Sequence, residues 1–214
     1  MILHIYCEGP TELDFSKEIL IPFLKNNGIT TTASICTTGY QGGVAHKGGV
    51  SKFSKIRSEI SDIHRNPNLV ITTMFDLYGL PKDTPGIGEY EDITQFEDRI
   101  ASEIGCDRLI VNLIRHEFEA LLFSDVNEFR SRFTDSAYHK LKTIRDKYDT
   151  PEDIDSFPST SPSKRIYEII PEFKKTLDGI DIAKGIGIDK MMAECPHFRS
   201  WIERILSYPG LKTA

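Results

Sequence analysis

Apolar and polar positions change period several times along the chain, and each change marks an element. Ile2 to Cys7 is a short apolar run with strand character, followed by a turn at Glu8-Gly9-Pro10. From Thr11 to Lys25, the residues Phe15, Ile19, Leu20, Phe23 and Leu24 recur at helical spacing. Ile29 to Thr37, rich in threonine and isoleucine, reads as a second strand. Thr38 to Val50 carries Gly39, Gly42, Gly43, Gly48 and Gly49 and reads as a long loop, of a kind that often serves function. Ser51 is placed to cap a helix running to Arg65, with Phe53, Ile56, Ile60 and Ile63 on one face.

Asn68 to Phe75 is the clearest strand, and its near-continuous apolar character suits a central position covered on both faces. Asp76 stands at its carboxyl end, and a loop rich in proline and glycine follows through Gly88. Thr94 to Ile104 predicts a helix, Arg108 to Ile114 a fourth strand, and His116 to Phe123 a short helix. Beyond Val126 the pattern is helical over Ala137–Tyr148, Lys164–Leu177, Ala183–Ala193 and His197–Leu206, with Asp149–Pro162 as an exposed linker. This alternation predicts an α/β fold: a mostly parallel four-stranded sheet flanked by helices, with a helical C-terminal region. The expected division is an α/β domain over 1–125 and a helical region over 126–214, packed on it as one compact unit.

Sheets of this kind place their sites outside the carboxyl ends of the strands. Glu8 follows the first strand, Asp76 ends the third, and Glu117 and Glu119 follow the fourth. One strand-end carboxylate is ordinarily a surface charge, a cap or a partner of the helix dipole. Four from distant parts of the chain, all expected at one edge, point to a site. Magnesium or manganese suits such a set, because one or two carboxylates plus a substrate phosphate hold the ion. It would serve phosphodiester chemistry by activating water and stabilising the leaving oxygen. Glu12 is a further ligand, an outer support, or a favourable charge in the first helical turn. On a helix, Glu117 and Glu119 would point about 200° apart, so Glu119 is taken as inward and Glu117 as its support. His116 is a candidate proton shuttle or phosphate contact, and an ordinary structural histidine would look the same.

Two segments are candidate anion sites. His46 to Lys55 combines glycines, a helix start and the cations Lys47, Lys52 and Lys55. Ser161-Pro162-Ser163-Lys164-Arg165 opens a second helix, with Lys164 and Arg165 as its cations. Solvated lysines and a plain helix cap account for these segments equally well. The nucleotide-binding pattern G-x-x-x-x-G-K-[ST] is absent. The stripe Phe198, Trp201, Ile205 reads as core packing.

Composition narrows the class. At 39% hydrophobic residues the chain supports a well-formed core, and no run of 18 apolar residues suggests a membrane span. The N-terminus opens directly on a strand without signal-peptide character, so a cytoplasmic location is expected. The four cysteines, Cys7, Cys36, Cys106 and Cys195, are isolated, which predicts free and mostly buried thiols rather than a zinc site. A net charge of −6 argues against a protein that coats nucleic acid non-specifically, but not against a nucleic-acid enzyme.

Several stretches together carry a resemblance: Cys7-Glu8-Gly9-Pro10-Thr11-Glu12, Lys47 to Ser51, Thr72 to Pro81, His116 to Asp125, Ser161 to Arg165 and Cys195 to Phe198. The chain resembles an uncharacterised bacterial Toprim-like family related to the overcoming-lysogenization-defect type of Toprim nuclease. That resemblance implies a Toprim-like sheet, a role beside an AAA or ABC-type ATPase, and a place in anti-phage defence. In Toprim enzymes a glutamate follows the first strand and an Asp-x-Asp pair follows the third. The glutamate corresponds to Glu8 and the first aspartate to Asp76, while Tyr78 stands where the second aspartate would be. The expected function is metal-dependent cleavage of nucleic acid, with DNA preferred over RNA. Glu8, Asp76, Glu119 and His116 would be catalytic, and Lys47, Lys52, Lys164 and Arg165 would hold phosphate. Two other readings stay open: a non-catalytic module partnering an ATPase, and a phosphoesterase acting on nucleotides.

Overall fold

The computed structural model describes residues 1–41, 44–47, 52–154 and 160–212, with the side chains of 37–41 and 44–47 outside the description. The first apolar run forms strand β1 (Ile2–Cys7). Helix α1 (Pro10–Phe15), a π turn (Ser16–Leu20) and helix α2 (Ile21–Asn26) then continue as one helical stretch. The wide turn lies just ahead of Pro22, whose nitrogen has no hydrogen to return to residue 18. Strand β2 (Thr31–Ile35) follows.

The segment expected to be a loop contains a β-hairpin instead, with β3 (Thr37–Gln41) antiparallel to β4 (Val44–Lys47). Strand-forming residues on either side of Gly42-Gly43 are the cause, since Gly-Gly between two such runs is a hairpin signal. Ser51, expected as a cap, lies outside the described residues. Helix α3 (Phe53–His64) has its first N–H, that of Phe53, bound by Asp83 Oδ1 at 2.9 Å.

Strand β5 (Leu69–Asp76) is followed by a 3₁₀ turn over Leu77–Gly79. Helix α4 (Ile93–Ile104) starts where Asp92 accepts the Thr94 N–H at 2.8 Å and ends on Gly105 at a φ of 76°. The expected fourth strand is broken at Val111-Asn112 into β6 (Leu109–Ile110) and β7 (Leu113–Ile114). Side chains from β5 bridge the gap. Thr73 Oγ1 accepts the Asn112 N–H and donates to the Asn112 carbonyl, each at 2.8 Å, so the break leaves the ladder satisfied.

The strand order is β2-β1-β5-β6, with β7 also on β5, and every pairing in this sheet is parallel. The chain moves outward from β1 to β2, then crosses back to β5 and continues the other way. The order therefore reverses between β1 and β5, which is the switch point where such sheets open a crevice. One face of the sheet packs Tyr6, Ile71 and Phe75 against Phe53, Ile56 and Ile60 of α3 and Phe96, Ile100 and Ile104 of α4. On the opposite face Ser16 Oγ lies 3.5 Å from Cys7 Sγ and 3.6 Å from Met74 Sδ, which places the first helical stretch there.

The chain divides into two compact units, residues 1–114 with 204–214, and residues 115–203, where the sequence places a single division at 125. The second unit is helical: α5 (Glu119–Leu122), a kinked 3₁₀ stretch (Phe123–Ser131), α6 (Asp135–Arg145), α7 (Pro162–Ile169), α8 (Ile180–Glu194) and the first part of α9 (Pro196–Ser207). The helix expected over 164–177 stops at Ile169, because Ile170 precedes Pro171 and such residues avoid helical ψ. A π turn follows only at Lys175–Gly179. The expected exposed linker is partly interior: Pro151, Glu152 and Ile154 are buried, and Glu152 accepts the N–H groups of His197 and Phe198 at 2.8 and 2.9 Å. Trp201 is fully buried against Phe198, as core packing requires. Cys7, Cys36 and Cys195 are buried free thiols, and Cys106 is partly exposed. Among the described residues no helix is long and apolar enough to cross a membrane.

The tail returns to the first unit through an ion pair. Buried Glu97 accepts the Leu113 N–H at 2.7 Å and Arg204 Nη2 at 2.9 Å, and Arg204 also donates to the Val111 carbonyl at 3.1 Å. Arg204→Met strands a buried carboxylate. It should lower unfolding free energy by about 2 kcal/mol or more, short of the full buried-pair cost because Arg204 is partly exposed. Urea denaturation of the variant checks this, and a midpoint equal to that of the parent would contradict it.

Candidate functional site

Parallel pairing sets the level of the acids. Cys7 stands opposite Met74 and the Glu8 N–H donates to the Met74 carbonyl at 3.1 Å, so Glu8 leaves β1 where β5 runs its last two residues. Asp76 is the final residue of β5. Both carboxylates are half-buried and stand on either side of the switch point.

The two are coupled through the backbone. The Asp76 N–H donates to Glu8 Oε2 at 2.9 Å. The Glu8 carboxylate also lies against the Cα of Gly79, where a Cβ would come within 2.6 Å of the Glu8 carboxyl carbon. Gly79 therefore serves by leaving room, and the turn after β5 is shaped around the Glu8 side chain. In the sequence Gly79 reads as part of the loop after Asp76 and of the Thr72 to Pro81 stretch. A glycine three residues after a strand-end aspartate was the available signal.

Glu12 is buried in the first turn of α1, with its Oε2 3.0 Å from the place a Cβ on Gly9 would occupy. Its carboxylate curls back over the turn that carries Glu8. Burial pushes the Cys7 thiol up to about 12, and the Glu12 charge adds to that effect. Lys52 is exposed at the start of α3, and the Phe53–Asp83 hydrogen bond ties that start to the loop beyond Gly79. Lys55 lies 4.0 Å from Glu59 on the same helix. The backbone of Lys47 is in β4 and its side chain is outside the described residues.

His116, Glu117 and Glu119 belong to the second unit. His116 adopts a left-handed φ of 66°, and the helix begins only at Glu119. The expected helical geometry between Glu117 and Glu119 is thus corrected: Glu117 precedes the helix, because a left-handed residue cannot continue a right-handed turn. Glu117 Oε2 accepts the Ser163 N–H at 3.1 Å at the start of α7. Glu119 is fully buried. Its Oε2 is 3.2 Å from Lys175 Nζ, a contact without hydrogen-bond directionality, so neither oxygen has a hydrogen-bond partner. Burial raises its pKa, and the Lys175 charge partly offsets the rise. Lys164 is exposed on α7. Arg165 is engaged, with Nε donating to the Thr160 carbonyl at 2.7 Å and Nη2 to the Tyr148 hydroxyl at 2.8 Å. Ser161 makes no side-chain cap.

Within either unit, among the described residues, no three His, Cys, Asp or Glu side chains gather to hold a metal. Glu8 and Asp76 do fit an ion that keeps most of its water, since one or two carboxylates suffice for magnesium. They do not make an all-protein cage.

The family description "Domain of unknown function (DUF4276)" matches residues 7–206. No curated protein matches the chain. Among solved structures, the C-terminal region of the Burkholderia pseudomallei OLD protein is similar at 16% identity and a TM-score of 0.46, covering 96% of this chain and 98% of that one. The C-terminal region of the Xanthomonas campestris pv. campestris OLD protein, phased with mercury, is similar at 17% identity and a TM-score of 0.44, covering 95% and 94%.

Two outcomes follow from the packing. Gly79→Ala should cost roughly 1–3 kcal/mol of stability through overlap with the Glu8 carboxylate. In a Glu8→Ala background most of that cost should vanish, a coupling read from a double-mutant cycle; equal costs in both backgrounds would exclude the close approach. The second concerns Glu119. A carboxyl whose folded pKa lies above its ordinary value near 4.5 contributes stability that is full below that value and is lost as pH rises through the folded one. Relative to Glu119→Gln, the parent should therefore lose stability from pH 4.5 upward, and a constant difference between their urea midpoints across that window would count against it.

Proposed function

We propose, for a chain that belongs to the family described as a domain of unknown function (DUF4276), that it hydrolyses phosphodiester bonds in nucleic acid with a divalent metal held at Glu8 and Asp76. The observation that supports this reading is the placement of these two half-exposed carboxylates at the switch point of a parallel sheet. Residues distant in sequence are brought there, and one is seated by the backbone of the other. The resemblance to Toprim nucleases puts its metal-binding glutamate and first aspartate on the same two residues.

Glu8 and Asp76 would hold magnesium or manganese, which when bound lowers the pKa of coordinated water and offsets charge on the phosphate. The chain's own contribution is orientation. The Asp76 N–H orients the Glu8 carboxylate through Oε2, and Gly79 lies against the same carboxylate. Glu12 adds negative potential beside the same turn. Lys52, exposed at the start of α3, would hold a substrate phosphate.

A second reading, a non-catalytic module that partners an ATPase, draws on Tyr78, which stands in place of the second Toprim acid. One experiment separates them: cleavage of supercoiled plasmid and of single-stranded RNA with magnesium or manganese by the parent, Glu8→Gln and Asp76→Asn. Each variant should lose at least about 100-fold in rate, the scale of a lost electrostatic contribution. Both should keep the urea midpoint of the parent within error, because the amide oxygen of Glu8→Gln still accepts the Asp76 N–H and Asp76→Asn leaves that backbone bond in place. A parent that cleaves nothing, even with a partner ATPase added, favours the second reading. A Glu8→Gln variant as active as the parent removes the assignment.

A further inference from the structure

The turn Leu77–Gly79 directly follows Asp76, and its three residues meet different fates. Leu77 points into the core at 9% exposure. Gly79 lies under the Glu8 carboxylate. Tyr78, between them, is 43% exposed. Among the described residues of the first unit the exposed large apolar side chains are Met1 and Tyr78, and Tyr78 is the one that follows Asp76.

The turn is held on both sides. Leu80 joins Leu77 in the core, and Asp83 grips the start of α3. The Tyr78 ring is therefore presented from a fixed base, which lowers the ordering cost of anything that packs on it. A phenol is a poor ligand for magnesium, so Tyr78 does not replace the acid that the Toprim pattern has at its position. It brings an exposed aromatic ring two residues from Asp76.

We infer that Tyr78 stacks on a nucleobase beside the scissile phosphate, and that the substrate is therefore single-stranded or locally unpaired nucleic acid. The inference rests on the reading of Glu8 and Asp76 as a phosphodiester site. The chemistry is general: an aromatic ring stacks on any base, with little sequence preference, when the base is free to turn toward it. Bases inside a duplex are already stacked and must first be pulled out. An exposed ring at the rim thus favours unpaired strands over duplex, while Lys52 contacts the backbone whatever the bases are doing.

The test is binding rather than cleavage. Fluorescence polarisation would follow the full chain on labelled single-stranded DNA, single-stranded RNA and blunt duplex DNA in calcium, with strand integrity checked on a gel. Tyr78→Ala should bind single strands on the order of 10- to 100-fold more weakly and duplex unchanged, while Tyr78→Phe and Tyr78→Trp retain the affinity of the parent. A single abasic position walked along the strand should reproduce the loss at one place in the parent and add nothing to Tyr78→Ala. The DNA and RNA arms tell which backbone is taken. If the parent binds but Tyr78→Ala matches it, or loses duplex and single strand equally, the stacking inference is overturned and the metal-site reading stands. If the parent binds none of the three, both fall.

Discussion

The carboxyl edge of the sheet depends on how one side chain is seated. Glu8 reaches across the switch point, takes the Asp76 N–H at 2.9 Å and lies on the bare Cα of Gly79. These contacts order the turn after β5, and the turn in turn sends Leu77 inward and Tyr78 outward. A strand-end N–H would otherwise need water or a cap. Here a glutamate meets that need. The same geometry serves the fold, by closing the end of β5, and the candidate chemistry, by holding a half-exposed carboxylate beside Asp76.

The acids of the second unit live under different physics. Glu117 is spent on the Ser163 backbone, and Glu119 is buried with Lys175 beside it. A buried carboxylate without hydrogen bonds is costly unless compensated, and the lysine ammonium supplies that compensation. Residues that look alike in sequence, four glutamates and an aspartate around three strand ends, thus separate into two half-exposed acids at the switch point and others engaged in holding backbone or charge. Glu12 is intermediate: interior by burial, yet curled over the turn that bears Glu8.

The proposed substrate follows from what surrounds the crevice. A net charge of −6 offers little long-range pull on a polyanion. Recognition must then come from local contacts: metal-bridged phosphate, a cation such as Lys52, and a ring able to hold a base. In the proposed site Tyr78 supplies that aromatic surface two residues from Asp76.

Periodicity alone was enough for much of the fold. β1 matches its expected range residue for residue, and β5 and α4 differ from theirs by single residues, because strong apolar patterns over six to twelve positions leave few alternatives. The carboxyl-end positions of Glu8 and Asp76 followed from the same reading. The pairing of β3 with β4 lies in a segment whose five glycines over 38–50 read as a loop. Other features had no local signature. The break at Val111-Asn112 is bridged by Thr73 from another strand, and the division at 114 and 203 returns the tail through Arg204 to Glu97. The burial of Glu119 and the approach of Gly79 to Glu8 likewise join residues 56 and 71 positions apart, from Glu119 to Lys175 and from Glu8 to Gly79. Such contacts are selected by packing between elements, and no pattern within one segment encodes them.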